Sequence, residues 1–94
     1  MGMIIPKQTA AKTVSYKFTR TSLPKTVKVA GVLVAETIVV NEVDEDGAII
    51  PAYDSTGTAI VLSATNSSFG VYSPITLQFV KPITANSVGV QLVE

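Results

Sequence analysis

The sequence predicts an all-β protein, a β-sandwich or jelly-roll-like barrel of seven to eight short antiparallel strands with an extended N-terminal arm. Three observations predict it. Apolar and polar residues alternate with a period of two through much of the chain. Clusters of Gly, Pro, Asn, Asp and Ser interrupt that alternation about every 8–12 residues. No segment carries a helical period with caps.

Residues 1–12 contain Pro6 and no sustained period, and are expected to form the arm; residues 13–94 form the single β domain. Val14, Tyr16 and Phe18 then share one strand face, with Ser15, Lys17 and Thr19 on the other. Thr21-Ser22-Leu23-Pro24 breaks that strand, and Thr26 to Ala30 alternates again before Gly31. From Val32 to Val43 the sequence predicts a longer strand, with Glu36, Ile38, Val40 and Glu42 on one face; the β-branched run Thr37–Val40 favours strand over helix.

Asp46-Gly47 lies between apolar runs, a hairpin signal resting on glycine's tolerance of positive φ. Ala48 to Tyr53 is the return strand, and Pro51, which has no N–H for a ladder, places it at an edge. Asp54-Ser55-Thr56-Gly57 is a turn, Thr58 to Ala64 a strand, and Thr65 to Ser68 another turn. Phe69 to Tyr72 is a short strand stopped by Ser73-Pro74. Ile75, Leu77 and Phe79 alternate up to Pro82, and Val88, Val90 and Leu92 close the domain. The expected core is Val14, Tyr16, Phe18, Val27, Val29, Ile38, Val40, Ile60, Leu62, Ile75, Leu77, Phe79, Val88, Val90 and Leu92.

The 94 residues suffice for one domain. They are 47% hydrophobic and 15% charged, against about 25% charged in ordinary soluble domains. Fewer charges than a monomer surface needs imply apolar surface buried between chains. Residues 1–28 carry Lys7, Lys12, Lys17, Arg20, Lys25 and Lys28 and no acid; the rest carries all seven acids and only Lys81 as a base. The two parts are +6 and −6, which suggests a basic segment meeting an acidic surface on itself, on a neighbour, or on a polyanion. No stretch approaches the roughly 20 apolar residues of a membrane span, and the start lacks a signal-peptide pattern. The chain is therefore expected to be neither membrane-embedded nor exported by that route.

The chain has no Cys and no His, so the usual acid–base, thiol and zinc constellations cannot be built. Its glycines stand singly and form no phosphate cradle. Glu36 and Glu42 could pair for glycosidase chemistry, but two solvated strand residues are the simpler reading. Asp44-Glu45-Asp46-Gly47 lacks the rest of a calcium loop and reads as a solvated hairpin turn. Tyr16-Lys17-Phe18-Thr19-Arg20 interleaves aromatics with bases, as single-stranded nucleic-acid binders do. In a strand, however, Tyr16 and Phe18 face away from Lys17, so nucleic acid is not the expected partner. No catalytic, cofactor-binding or metal-binding residue is assigned. The residues expected to meet a partner are Ile4, Ile5, Lys7 and Lys12 in the arm, with Pro51 and Tyr53 at the edge.

Five stretches, Glu42 to Gly47, Tyr53 to Gly57, Leu62 to Ser67, Tyr72 to Leu77 and Lys81 to Val90, together resemble small β-rich virion proteins encoded by tailed bacteriophages and prophages, including head-decoration (cement) proteins. The resemblance covers about the last half of the chain and rests on turn-and-strand patterns, so it carries over no functional residues. It implies a non-enzymatic virion component, made in the host cytoplasm and placed on the capsid surface. Its partners would be the major capsid protein, copies of itself as a dimer or trimer, or both. A tail or fibre module binding a receptor or glycan, with Tyr53 and Tyr72 stacking on sugar, is the alternative; a single-stranded nucleic-acid binder is a further one.

Overall fold

The alternating pattern folds into nine strands among the residues that the computed structural model describes, which are 2–22, 24–54 and 56–93. They are β1 (Gly2–Gln8), β2 (Lys12–Phe18), β3 (Lys25–Ala30), β4 (Ile38–Val43), β5 (Ile49–Pro51), β6 (Val61–Leu62), β7 (Ser68–Val71), β8 (Ile75–Lys81) and β9 (Val88–Val93). One 3-10 turn, Arg20–Ser22, follows β2. Leu23 and Ser55, which fall in two of the expected turns, lie outside the described residues.

The first sheet has the order β1-β9-β3-β7; the second has β2-β8-β4-β5, with β6 also on β4. Every pairing is antiparallel. The alternation explains the layering. Val27 and Val29 from β3 and Val88, Val90 and Leu92 from β9 meet Phe18, Ile38, Val40, Leu62, Leu77 and Phe79 of the second sheet in one buried cluster. Val14, Tyr16, Ile60 and Ile75, also expected inside, are half-buried against it. Of the two expected forms, the sandwich is the one found.

Four elements differ from expectation. The arm is an edge strand of its own domain: β1 pairs with β9 and sets Ile4 and Ile5 into the core. Those two side chains supply the reason, since burying an Ile contributes roughly 1.5–3 kcal/mol. The strand expected from Val32 begins only at Ile38, because residues 31–37 carry the chain from the first sheet to the second. The strand expected over Thr58 to Ala64 contracts to Val61–Leu62, preceded by a lone bridge between Tyr53 and Ala59. The return strand contracts to Ile49–Pro51, at the edge where its proline belongs.

Turn chemistry fixes the strand order. Gly47 has φ +84°, and Asp44 closes the β4–β5 hairpin by accepting the Asp46 and Ala48 N–H groups at 2.9 and 2.8 Å. Gly89 serves a different need: a Cβ there would overlap the Ile5 carbonyl oxygen and lie 2.9 Å from the Lys7 nitrogen. β1 can cross β9 so closely only because residue 89 has no side chain.

Candidate functional site

The residues expected to meet a partner separate in the fold. Ile4 and Ile5 face inward and are buried, whereas Lys7 is exposed on β1. Lys12 is exposed at the start of β2, opposite Lys81 in register. Pro51 is exposed at the edge of the second sheet, and Tyr53 is exposed just beyond it. Tyr16 and Phe18 make an edge-on ring contact at 4.9 Å on the inner face, with Lys17 on the outer one. Phe18 and Lys17 both line a cleft at the end of the strand, but Phe18 is buried and offers no ring face there for a base to stack on.

The two edges away from β1 and β2 belong to β7 in the first sheet and to β5 and β6 in the second. Between them lies an open cleft of about 230 Å³ lined by Tyr53, Phe69, Tyr72, Pro74 and the Glu42 side of β4. Tyr72 is 80% exposed, and its ring lies over Gly70, where a Cβ would meet the hydroxyl at 2.6 Å. A second open cleft, about 540 Å³, brings Lys17 towards Glu42, Asp44 and Glu45. Of the bases in residues 1–28, Lys17 is the one that lines this cleft. The Asp44 carboxylate itself is engaged by its own turn.

Among the described residues one ionisable group is buried, and sequence reasoning missed it. Lys81 is 1% exposed at the inner end of β8. Its ammonium donates to Ala10 O at 2.7 Å, Pro82 O at 3.1 Å and Thr84 Oγ1 at 3.1 Å. Thr84 in turn donates its hydroxyl to Asn86 O at 2.7 Å and its N–H to Thr9 O at 3.0 Å. Burial pushes the Lys81 ammonium below the ordinary lysine range, and the Glu36 charge opposes that shift. Glu36 accepts the N–H groups of Ala85 at 2.9 Å and Val34 at 3.0 Å, and these, Ala85 first, hold it below the usual carboxylate range. The lysine ties the β1–β2 connection to the β8–β9 loop. Its signal was present in the sequence: Ile75, Leu77, Phe79 and Lys81 share one strand parity.

Glu36 precedes β4 rather than lying on it, so the carboxylate pair expected on one strand face does not form. Among the described residues no three carboxylates converge on one point.

The outer face of the second sheet is laid out by the pairing of β2, β8, β4, β5 and β6. Its register gives three cross-strand rows: Thr13, Val80, Val39 and Val61; Ser15, Gln78, Asn41 and Pro51; Lys17, Thr76, Val43 and Ile49. Lys17 is the one charged side chain among them. Val39 is 40% exposed and Ile49 53% exposed. Past the Val39 row the face continues into a groove bounded by Ala35, Glu36, Thr37 and Pro82, and Val34 and Ile83 are exposed. Comparison with known proteins found no matching family model, no similar curated protein and no similar solved structure.

Proposed function

We infer that this protein is a non-catalytic structural module that works by covering its apolar sheet face with another protein surface. The observation that carries the reading is the outer face of the second sheet, where three rows of side chains hold a single charge and exposed Val39 and Ile49. With the phage-virion resemblance of the sequence, the specific form of the reading is a decoration protein on a bacteriophage head. A domain that binds only the assembled shell stabilises it by mass action, and many weak sites on one lattice add avidity. The test is to separate DNA-filled heads from tails and count copies of this chain by quantitative mass spectrometry. A fixed stoichiometry with heads supports the reading; enrichment on tails, or absence from particles, rejects it.

A second reading is favoured by one observation, the convergence of Tyr53 and Tyr72 on one cleft beside Glu42. Two exposed aromatic rings and a carboxylate suit stacking on a sugar while accepting its hydroxyls. Glycan-array binding lost in Tyr72→Ala would establish that reading; silence across the array would remove it.

A further inference from the structure

We propose that the outer face of the second sheet pairs with the same face of a second copy, about a twofold axis parallel to the strands and midway between β8 and β4. The proposal rests on the structural-module reading and names its partner.

The register supplies the argument. Such an axis lays β8 over the partner's β4 and β2 over its β5 and β6 edge, row upon row. Val80 then lies over the partner's Val39, and Val39 over the partner's Val80. Four valines meet at the middle of one row, and Val39 and Val80 also line the groove at that end. In the next row Gln78 lies over the partner's Asn41. Within one chain Asn41 Nδ2 donates to Gln78 Oε1 at 3.3 Å. That bond engages neither the Gln78 amide hydrogens nor the Asn41 carbonyl oxygen. Donor and acceptor match across the axis in both directions, so the face is complementary to itself.

Charge favours the same axis. In the third row Lys17 lies over the partner's Ile49, beside the Asp44-Glu45-Asp46 turn. Each acidic turn sits closer to the partner's lysine than to the partner's turn. The two Lys17 residues stand three strand spacings apart, about 14 Å, beyond the screening length at physiological salt. Three rows on four strands span only about 19 by 17 Å. That is below the roughly 800 Å² per side of a standard interface, so the pairing is weak alone and consequential on a lattice. Facing sheets in aligned packings keep their strand directions within about 30° of each other, a range that includes this near-parallel arrangement.

The experiment is sedimentation equilibrium over a concentration series, with thiol cross-linking. The wild type is expected to move from 9.9 kDa towards twice that mass. Val39→Lys weakens association roughly tenfold or more by placing charge in the valine cluster. Lys17→Glu weakens it about three- to tenfold, and Lys17→Glu with Glu45→Lys recovers it. Lys28→Glu, on the other sheet, leaves it unchanged. The charge pair serves if Val39→Lys fails to fold. The chain has no cysteine, so introduced thiols report the axis: a short bifunctional maleimide joins Val39→Cys mixed with Val80→Cys, whereas Thr13→Cys alone, three strand spacings from its own copy, is not joined. A monomer at millimolar concentration, or a dimer indifferent to these substitutions, overturns the proposal. A monomer that still loads onto heads rejects the copy as partner and keeps the functional reading. A cross-linked dimer that ignores heads and tails keeps the pairing and rejects that reading.

Discussion

Gly89→Ala should detach β1 while leaving the rest of the sandwich folded. The added Cβ would overlap the Ile5 carbonyl oxygen and lie 2.9 Å from Lys7 N and Pro6 C, all backbone atoms that no rotamer change can move aside. The first sheet must therefore separate at its β1–β9 seam. Complete release gives up the burial of Ile4 and Ile5, about 3–6 kcal/mol at 1.5–3 for each side chain. Freed backbone recovers entropy that offsets that loss, so the cost is at most about 3–6 kcal/mol. Total stability in small domains is about 5–15 kcal/mol, so the remainder survives. Urea denaturation should show a lower midpoint, and hydrogen exchange should show lost protection confined to β1 and the outer side of β9. Gly47→Ala is the control: it faces open space at φ +84° and should cost only about 1 kcal/mol. Wild-type stability with β1 still protected in Gly89→Ala would refute the close-crossing argument.

Three further outcomes follow from the geometry. Lys81→Met removes the donor to Ala10 O, Pro82 O and Thr84 Oγ1 but also the cost of burying an ammonium. The net loss should be about 1–3 kcal/mol, with faster exchange in the β1–β2 connection, measured by denaturation and hydrogen exchange. Because the folded Lys81 pKa is lowered, its contribution to stability should rise with pH between its folded and unfolded values, and Lys81→Met should abolish that alkaline gain in a pH series of melting temperatures. The folded pKa of Glu36 is also lowered, by the Ala85 and Val34 N–H groups, so its contribution is present above the ordinary carboxylate value and is lost as pH falls through the folded one. Glu36→Gln should flatten that acid limb, read in the same series.

Much of the fold was legible because a half-buried strand writes its burial into every second residue. Val27 and Val29, Leu77 and Phe79, and Val88 and Val90 were placed inside by parity alone, and the structure buries them all. The acidic hairpin was legible for a second local reason, an Asp-Gly pair at a position needing positive φ. What was not legible depends on partners distant in sequence. Ile4 and Ile5 precede Pro6 with no alternation, and only β9 reveals their environment. Leu33 and Ala52, in connections, join the core without a strand pattern around them. Lys81 followed parity correctly, but its charge argued against burial until Ala10, 71 residues away, supplied an acceptor. At the candidate surfaces, composition indicated excess apolar area, yet only the register of β2, β8, β4 and β5 gathers it on one face.

The pairing of β1 with β9 also governs how the domain is made. A ribosome delivers Gly2–Gln8 before the other described strands and Val88–Val93 after them, so β1 waits until all of those strands have emerged for the one it must adjoin. Until then Ile4 and Ile5 have no finished groove to enter, and the nascent chain carries them uncovered. Closure of the first sheet is therefore expected to be the domain's late folding step, and folding slow for the domain's size, as long-range strand pairing dictates.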